Sequence, residues 1–305
     1  MKVVITGVGG FIGSHLARRC LAKGWEVIGV DDFSNGKRSN VPEGAALIEG
    51  DLALADTCRR LPARCDAVLH LAGQSSGEIS FDDPVADLNK NTVSTLNLIR
   101  YGISAQANRL VYASSMSVYG DQGDGAVAED ARCRPLSCYG VGKLAAEEYL
   151  RIFAPDLPFV AFRMFNVYGP GQDLDNMRQG MVSIFLAQAL RTGRIQVKGS
   201  LERFRDFIAV EDVVNAWVAA AERADADNRI LNLGTGIRTT VGSLLEAIGA
   251  CLPGIAWYCE GSTQGDQSGI YADPARLRQT LGLGQPMALT DGIGRFAAWA
   301  RTQEG

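Results

Sequence analysis

An apolar run, Val3-Val4-Ile5-Thr6, leads directly into Gly7-Val8-Gly9-Gly10-Phe11-Ile12-Gly13. This reads as a strand, a glycine turn and the start of a helix, with Gly7, Gly10 and Gly13 at GxxGxxG spacing. Residues without a Cβ let the chain turn tightly, let the backbone approach a pyrophosphate and let the helix pack closely on the strand. The free N–H groups of the helix N-terminus attract an anion. A glycine triplet alone marks only a tight turn. Here a second candidate strand, Glu26 to Val30, runs into Asp31, roughly 20 residues beyond the turn, where a carboxylate accepts from ribose hydroxyls. The two features predict a dinucleotide site. A carboxylate at Asp31 repels the 2′-phosphate of NADP, so NAD is the expected cofactor. Asp51-Leu52, after the third strand, is either an adenine contact or an exposed loop acid.

The first 165 residues alternate β-rich runs with helical patterns, the rhythm of a parallel sheet covered by helices on both faces. Lys2 to Thr6, Glu26 to Val30, Ala46 to Glu49, Ala67 to Leu71, Leu110 to Ala113 and Phe159 to Arg163 are the expected strands. Pro84 to Tyr101 places Val85, Leu88, Val93, Leu96 and Ile99 at helical spacing, and Ser137 to Phe153 does the same with Leu144, Tyr149 and Ile152. Both faces are expected against the sheet. After Arg163 the rhythm breaks at the Gly/Pro-rich stretch Asn166 to Asp173, followed by a helix near Met181 to Thr192 and a strand near Ile195 to Lys198. The expected fold is α/β: a Rossmann-type doubly wound parallel sheet in a cofactor domain, 1–165, with a smaller α/β substrate domain, 166–305. The runs Phe207 to Val210 and Ile230 to Leu233 are expected to return to the first sheet.

A net charge of −4 with no basic block argues against nucleic acid as partner, so a phosphorylated ligand would need local binding devices. No apolar run approaches the roughly 20 residues of a membrane span, and no basic leader precedes the first strand, so the expected compartment is the cytoplasm. The seven cysteines include no CxxC pair and only His15 and His70 accompany them, which predicts reduced thiols and no metal site.

Tyr139-Gly140-Val141-Gly142-Lys143 is a YxxxK spacing. Residues four apart share a helix face, so the Lys143 ammonium can act on the Tyr139 phenol. That proximity matters because a free tyrosine, with a pKa near 10, is a poor base at neutral pH. A neighbouring cation favours the phenolate. The pair follows a strand ending Val111-Tyr112-Ala113-Ser114-Ser115, at the carboxyl edge where such sheets bind ligands. Ser115 is then placed to bridge a substrate hydroxyl and Tyr139.

With these motifs in hand, the chain resembles the extended short-chain dehydrogenase/reductases over nearly its whole length. The likeness to their nucleotide-sugar branch, and within it to the UDP-hexose 4-epimerases, lies in Asp31-Asp32-Phe33-Ser34-Asn35-Gly36, His70-Leu71-Ala72-Gly73, Ser114-Ser115-Met116-Ser117-Val118-Tyr119-Gly120, Phe162-Arg163-Met164-Phe165-Asn166-Val167-Tyr168-Gly169-Pro170, Arg205-Asp206-Phe207-Ile208 and Asn232-Leu233-Gly234. The resemblance implies Ser115, Tyr139 and Lys143 as catalytic. It implies Gly7, Gly10, Gly13, Asp31, Asp51 and Asn91 as cofactor positions, joined by Phe11, Ile12, Asp32, Asn35, Leu52, Leu71, Ala72, Gly73 and Ala113. Asn166 and Arg205 match positions that hold a diphosphate, with Ser75, Met116, Met181, Lys198 and Asp266 as further substrate candidates. Read from the residues alone, Arg205 is equally an ion-pair partner of Asp206.

The same resemblance implies NAD-dependent inversion at C4 of a UDP-hexose or UDP-N-acetylhexosamine, in a homodimer built through the Pro84 to Tyr101 and Ser137 to Phe153 segments, with a place in polysaccharide synthesis. Similar dehydratases carry Asp-Glu where this chain has Met116-Ser117, and similar decarboxylases carry Glu at Ser117, so neither reaction is expected. A 4-keto reductase stays open because Lys37 and Arg38 lie close to Asp31 in sequence; a non-catalytic NAD-binding protein would have no need of Ser115, Tyr139 and Lys143 together. Two positions depart from the pattern: Thr263 stands where an arginine clamps the diphosphate, and Lys198 where an aromatic stacks on the uracil. Ile270 matches the position where side-chain bulk gates an N-acetyl group, with isoleucine intermediate in size, or else packs the core.

Overall fold

The computed structural model describes residues 1–261 and 268–304. Seven strands form one sheet: β1 (Lys2–Thr6), β2 (Glu26–Asp31), β3 (Ala46–Glu49), β4 (Ala67–His70), β5 (Arg109–Ser115), β6 (Phe159–Met164) and β7 (Arg229–Leu233). They lie in the order 3-2-1-4-5-6-7, and every pairing is parallel. The helices α1 (Phe11–Ala22), α2 (Pro84–Leu88), α3 (Ser94–Ser104), α4 (Cys138–Phe153), α5 (Met181–Thr192), α6 (Val210–Glu222), α7 (Val241–Cys251) and α8 (Leu289–Glu304) are the main ones. Strand alternation sorts the two faces. Val3 and Ile5 pack with Leu16 of α1 and Val213 and Trp217 of α6, whereas Val4 packs with Leu98 and Ile99 of α3 and Ala146 and Leu150 of α4. Chain order reverses between β1 and β4, which opens a crevice beyond their carboxyl ends.

The segment expected as one helix from Pro84 to Tyr101 is divided. Asp83 caps α2 by accepting from Val85 N and Ala86 N, a π turn follows at Asn89–Val93, and only then does α3 begin. In that wider turn the carbonyls of Lys90 and Asn91 accept the hydroxyls of Ser94 and Thr95, both at 2.6 Å. Side-chain hydroxyls competing for helix carbonyls are the physical cause. The face also differs from expectation: Val85 and Leu88 are exposed, while Asn91, Thr92, Ser94, Thr95, Leu98 and Ile99 are buried.

In α4, capped by Ser137 through Gly140 N, the buried stripe is Tyr139, Lys143, Ala146, Glu147 and Leu150. Tyr149 and Ile152, expected inside, are exposed. The inward stripe carries polar residues because it faces the end of β5. There Glu147 accepts from Ser114 Oγ (2.5 Å), Arg163 Nε (3.0 Å) and Arg163 Nη2 (2.7 Å).

The second core gathers Phe185 and Leu186 of α5, Leu244 and Ile248 of α7, and Ile293 and Phe296 of α8. The run expected to rejoin the main sheet near Phe207 does not do so. Phe207–Ala209 pairs in parallel with Asn166–Tyr168 in a separate two-stranded sheet. Beyond β6 the edge of the main sheet is taken by β7, and the small sheet lies between the cores, with Phe207 and Ala209 facing the second and Ile208 the first. Among the described residues, no helix is long and apolar enough to cross a membrane.

Candidate active site

One cleft of about 750 Å³ runs along the crevice and between the two cores. The glycine turn forms its floor. Gly7 has φ +71°, and a Cβ there would lie 2.9 Å from Ala72 N; a Cβ on Gly13 would lie 2.0 Å from Gly7 O. These glycines therefore permit both the left-handed turn and the contact of α1 with the turn beneath it. Phe11, Ile12 and Gly10 line the same end, and Leu71, Ala72 and Gly73 form the opposite rim after β4.

Asp31 ends β2 and accepts from Gly9 N and Phe33 N, each at 2.8 Å, so its carboxylate also fastens the glycine turn. Asp32, Asn35, Asp51 and Leu52 line the cleft beside it. Lys90, which sequence reading passed over, pairs with Asp32 and bonds Ser34 Oγ at 3.1 Å. Lys37 pairs with Asp173 at 3.7 Å, and Arg38 pairs with Glu49 and stacks over Phe33, so both cations beyond Asp31 have partners elsewhere.

At the other end of the cleft stand Ser115, Tyr139 and Lys143, with Ala113 and Met116. Burial pushes the Tyr139 phenol up to about 12, with the Asp87 charge adding to the rise and the Ser115 hydroxyl opposing it. Lys143 is 3% exposed, and burial brings its ammonium down to about 8, partly offset by Asp87. Its Nζ lies 5.6 Å from the Tyr139 ring centre and 5.0 Å from that of Tyr112. Ser115 Oγ donates to Ser117 Oγ and accepts from Ser117 N, both at 3.1 Å.

Behind this group runs a buried chain of hydrogen bonds. Thr6 Oγ1 accepts from Leu71 N and Ala72 N, so its proton goes to His70 Nδ1 at 2.8 Å. His70 Nε2–H then faces Thr95 Oγ1 at 3.0 Å. Burial, with the Lys143 charge, lowers His70 to about 3 and keeps it neutral.

Ser75, Asn166, Met181 and Arg205, the substrate candidates named from the resemblance, line the same cleft. Arg205 is 8% exposed; burial and the like charge of Arg203 lower it to about 10. Asp206 accepts from Thr235 N, Thr235 Oγ1, Gly236 N and Ala272 N, so its carboxylate is committed to backbone and hydroxyl donors.

Two of the described candidates are not in the cleft lining. Asn91 is fully buried behind Gly73, whose Cβ would lie 2.5 Å from Asn91 Oδ1. Lys198 is exposed because Ile195 and Val197 take the inward positions of their strand. Asp266, like Thr263, lies outside the described residues. Ile270 is buried with Val118, Tyr119, Val127 and Phe165, the core-packing alternative. Sequence reading also passed over Gln74, Asp87, Gln172, Arg178 and Gln179. Gln179 Nε2 donates to Ser75 O at 2.8 Å across the cleft mouth, and no local pattern signals a contact between residues so distant in sequence.

A doubly wound sheet whose glycine turn faces a Tyr-Lys helix across a single cleft defines the extended short-chain dehydrogenase/reductase class. The chain belongs to the NAD dependent epimerase/dehydratase family, whose model matches residues 3–234. It is 34% identical to a UDP-glucose 4-epimerase of Mycolicibacterium smegmatis, over 99% of both chains. Its fold matches the crystal structure of a Thermotoga maritima UDP-glucose 4-epimerase with UDP-glucose at a TM-score of 0.95, with 30% identity and 100% of both chains covered. A Thermus thermophilus UDP-glucose 4-epimerase in complex with NAD matches at a TM-score of 0.89, with 31% identity over 99% of each chain.

Proposed function

We propose that this chain is an NAD-dependent 4-epimerase of a UDP-linked hexose or N-acetylhexosamine. The observation that carries the reading is the meeting of Ser115, Tyr139 and Lys143 with the glycine turn and Asp31 in one cleft. The cradle suits NAD: the glycine turn leaves room for a pyrophosphate, and Asp31 and Asp32 present acid where a 2′-phosphate would lie. Gly7, Gly10, Gly13, Asp31, Asp51 and Leu71 to Gly73 would hold it. When bound, NAD accepts a hydride from the sugar and returns it.

Tyr139 takes the proton of the sugar 4-hydroxyl, and Lys143 stabilises the phenolate through its positive charge. Ser115 hydrogen-bonds the reacting oxygen and holds it against Tyr139. Arg205 and Asn166 hold the diphosphate, so the 4-keto sugar can turn its other face without leaving, and Tyr139 then returns the proton. Met116 and Ser117, which line the cleft, bring no carboxylate for dehydration. We read residues 1–165 with β7 as the cofactor side and 166–305 as the substrate side, in a cytoplasmic enzyme.

The test is to supply UDP-glucose, UDP-galactose and their N-acetyl and uronic forms to the purified protein with no added cofactor, following the sugar protons by NMR. Conversion to the C4 epimer without net NADH supports the reading. Turnover only with NADPH and a 4-keto sugar would replace it by a reductase, and NAD binding with no reaction on any sugar by a binding protein.

A homodimer accompanies this reading. Phe81, Val85, Leu88, Leu136, Val141 and Ile152 are exposed apolar side chains on α2, α4 and the segments leading into them. Several of them line an apolar depression between the two helices. Patches of this kind mark protein contacts. An Ile152→Glu variant is expected to weaken dimerisation by on the order of 100-fold or more, because its charge would be buried without a partner. Light scattering over a concentration series reads this, and a wild-type protein of monomeric mass removes the dimer.

A further inference from the structure

Asp87, on α2, is 3% exposed and has no part in the proton transfers described above. Its Oδ1 accepts from Asn91 Nδ2 at 3.1 Å and from Gln74 Nε2 at 2.8 Å. Gln74 in turn donates to Ser76 O at 2.6 Å and accepts from Ser76 N, so the turn after β4 is tied to the same carboxylate. With Asn91 Nδ2 directed to Asp87, the carboxamide oxygen must face the opposite way, and Asn91 Oδ1 is buried without a protein partner. That oxygen and Lys143 Nζ lie within 2.5 and 3.4 Å of one point, the position of a Cβ on Gly73. Asp87 Oδ2 reaches the α4 backbone from the other side, 3.5 Å from where a Cβ on Gly142 would stand.

We propose that Asp87 is a positioning residue for the Tyr139–Lys143 pair: it turns the Asn91 carboxamide oxygen toward Lys143 and supplies the negative charge that keeps Lys143 an ammonium. The inference rests on the 4-epimerase reading for the meaning of that charge, though the electrostatic claim stands by itself. The other groups around Lys143, among the described residues, are the Tyr112 ring on β5, neutral His70 on β4, Asn91 on the π turn and Tyr139 on α4 itself. Glu147, one turn along α4, is bound to Arg163 and Ser114. Asp87 is therefore the anion that acts on Lys143. Its effect runs the same way on both partners, raising Lys143 and raising Tyr139.

Removing the charge lowers both. In Asp87→Asn the acid limb and the alkaline limb of kcat against pH are expected to move together toward lower pH, by about one unit. A role confined to packing would reduce kcat and leave both midpoints in place. Asp87→Glu, which keeps the charge, is expected to restore the wild-type midpoints even where it lowers kcat. Thermal unfolding and bound-NAD content confirm that each variant is folded.

A second readout needs no turnover: the 13Cε resonance of Lys143, assigned by its loss in Lys143→Met, is titrated in the wild-type and Asp87→Asn holoenzymes. A midpoint lower by about one unit in Asp87→Asn is expected. An unmoved Lys143 midpoint overturns the inference whether or not any sugar reacts. A shifted midpoint in a protein that turns over no sugar leaves the inference standing and removes the 4-epimerase reading instead.

Discussion

A Tyr139→Phe variant is expected to lose roughly 100- to 10,000-fold in kcat while still binding NAD and the nucleotide sugar. Only the phenol oxygen is removed; the ring, with Tyr139 8% exposed, keeps its packing. In the proposed cycle that oxygen accepts the sugar proton and, with its proton, is the donor on the return, so both halves of the cycle are expected to fail. At 1.36 kcal/mol per tenfold in rate, the loss is about 3 to 5 kcal/mol of transition-state stabilisation. Uniform binding is not expected to change, so KM stays within a few-fold. Steady-state kinetics on the reactive UDP-sugar, alongside the bound-NAD content, reads both quantities. A variant within a few-fold of wild-type kcat would remove Tyr139 as the acid-base group, and with it the role assigned to Lys143.

The second large effect is on stability. Glu147 and Arg163 are 0% and 2% exposed, and the pair is joined by two hydrogen bonds, with Ser114 completing the carboxylate. Arg163 also donates to Glu129 O at 3.0 Å and lies over the Tyr119 ring, whose hydroxyl donates to Asn232 at 2.6 Å. Glu147→Ala strands the guanidinium in the core, at a cost of about 3 to 5 kcal/mol. Replacing both partners with apolar residues of similar size, Glu147→Leu with Arg163→Met, is expected to cost much less, because no unpaired charge remains. Urea unfolding of the two single variants and the double variant measures the coupling. If Glu147→Ala costs less than about 1 kcal/mol, in the range of an exposed pair, the pair is open to water in solution.

The cofactor end of the site was legible in the sequence because its chemistry is local. Gly7, Gly10 and Gly13 sit within one turn and one helix start, and Asp31 follows one strand later, so spacing alone brings them together. Tyr139 and Lys143 are legible for the same reason, four residues apart on α4. The substrate end depends on contacts between distant segments. Ser75 meets Gln179 across 104 residues, and neither carries a pattern that predicts the other. Lys198 is a substrate candidate by resemblance, but it follows the buried Val197 at the end of its strand and is exposed.

The faces of two helices were misread because periodicity reports which residues share a stripe and not which stripe meets the sheet. In α4 the inward stripe holds Tyr139, Lys143 and Glu147, which hydrophobicity alone would turn to water. In the Pro84 to Tyr101 segment a π turn resets the stripe, and its cue is a cluster of hydroxyl residues, Thr92, Ser94 and Thr95, inside an apolar pattern.

By itself the sequence determined the doubly wound sheet, all seven of its strands to within two residues at each end, the glycine cradle and the Tyr-Lys pair, since each follows from spacing along a single strand, turn or helix. Only the tertiary structure decided that Phe207–Ala209 pairs with Asn166–Tyr168, that Arg163 reaches Glu147 in the core, and that Asp87 stands behind Asn91 and Lys143. Apart from Asp87 with its neighbour Asn91, those pairings join residues on separate strands and helices. Their free energy comes from burial and from charges that have lost water, and neither exists until the sheet and helices have packed.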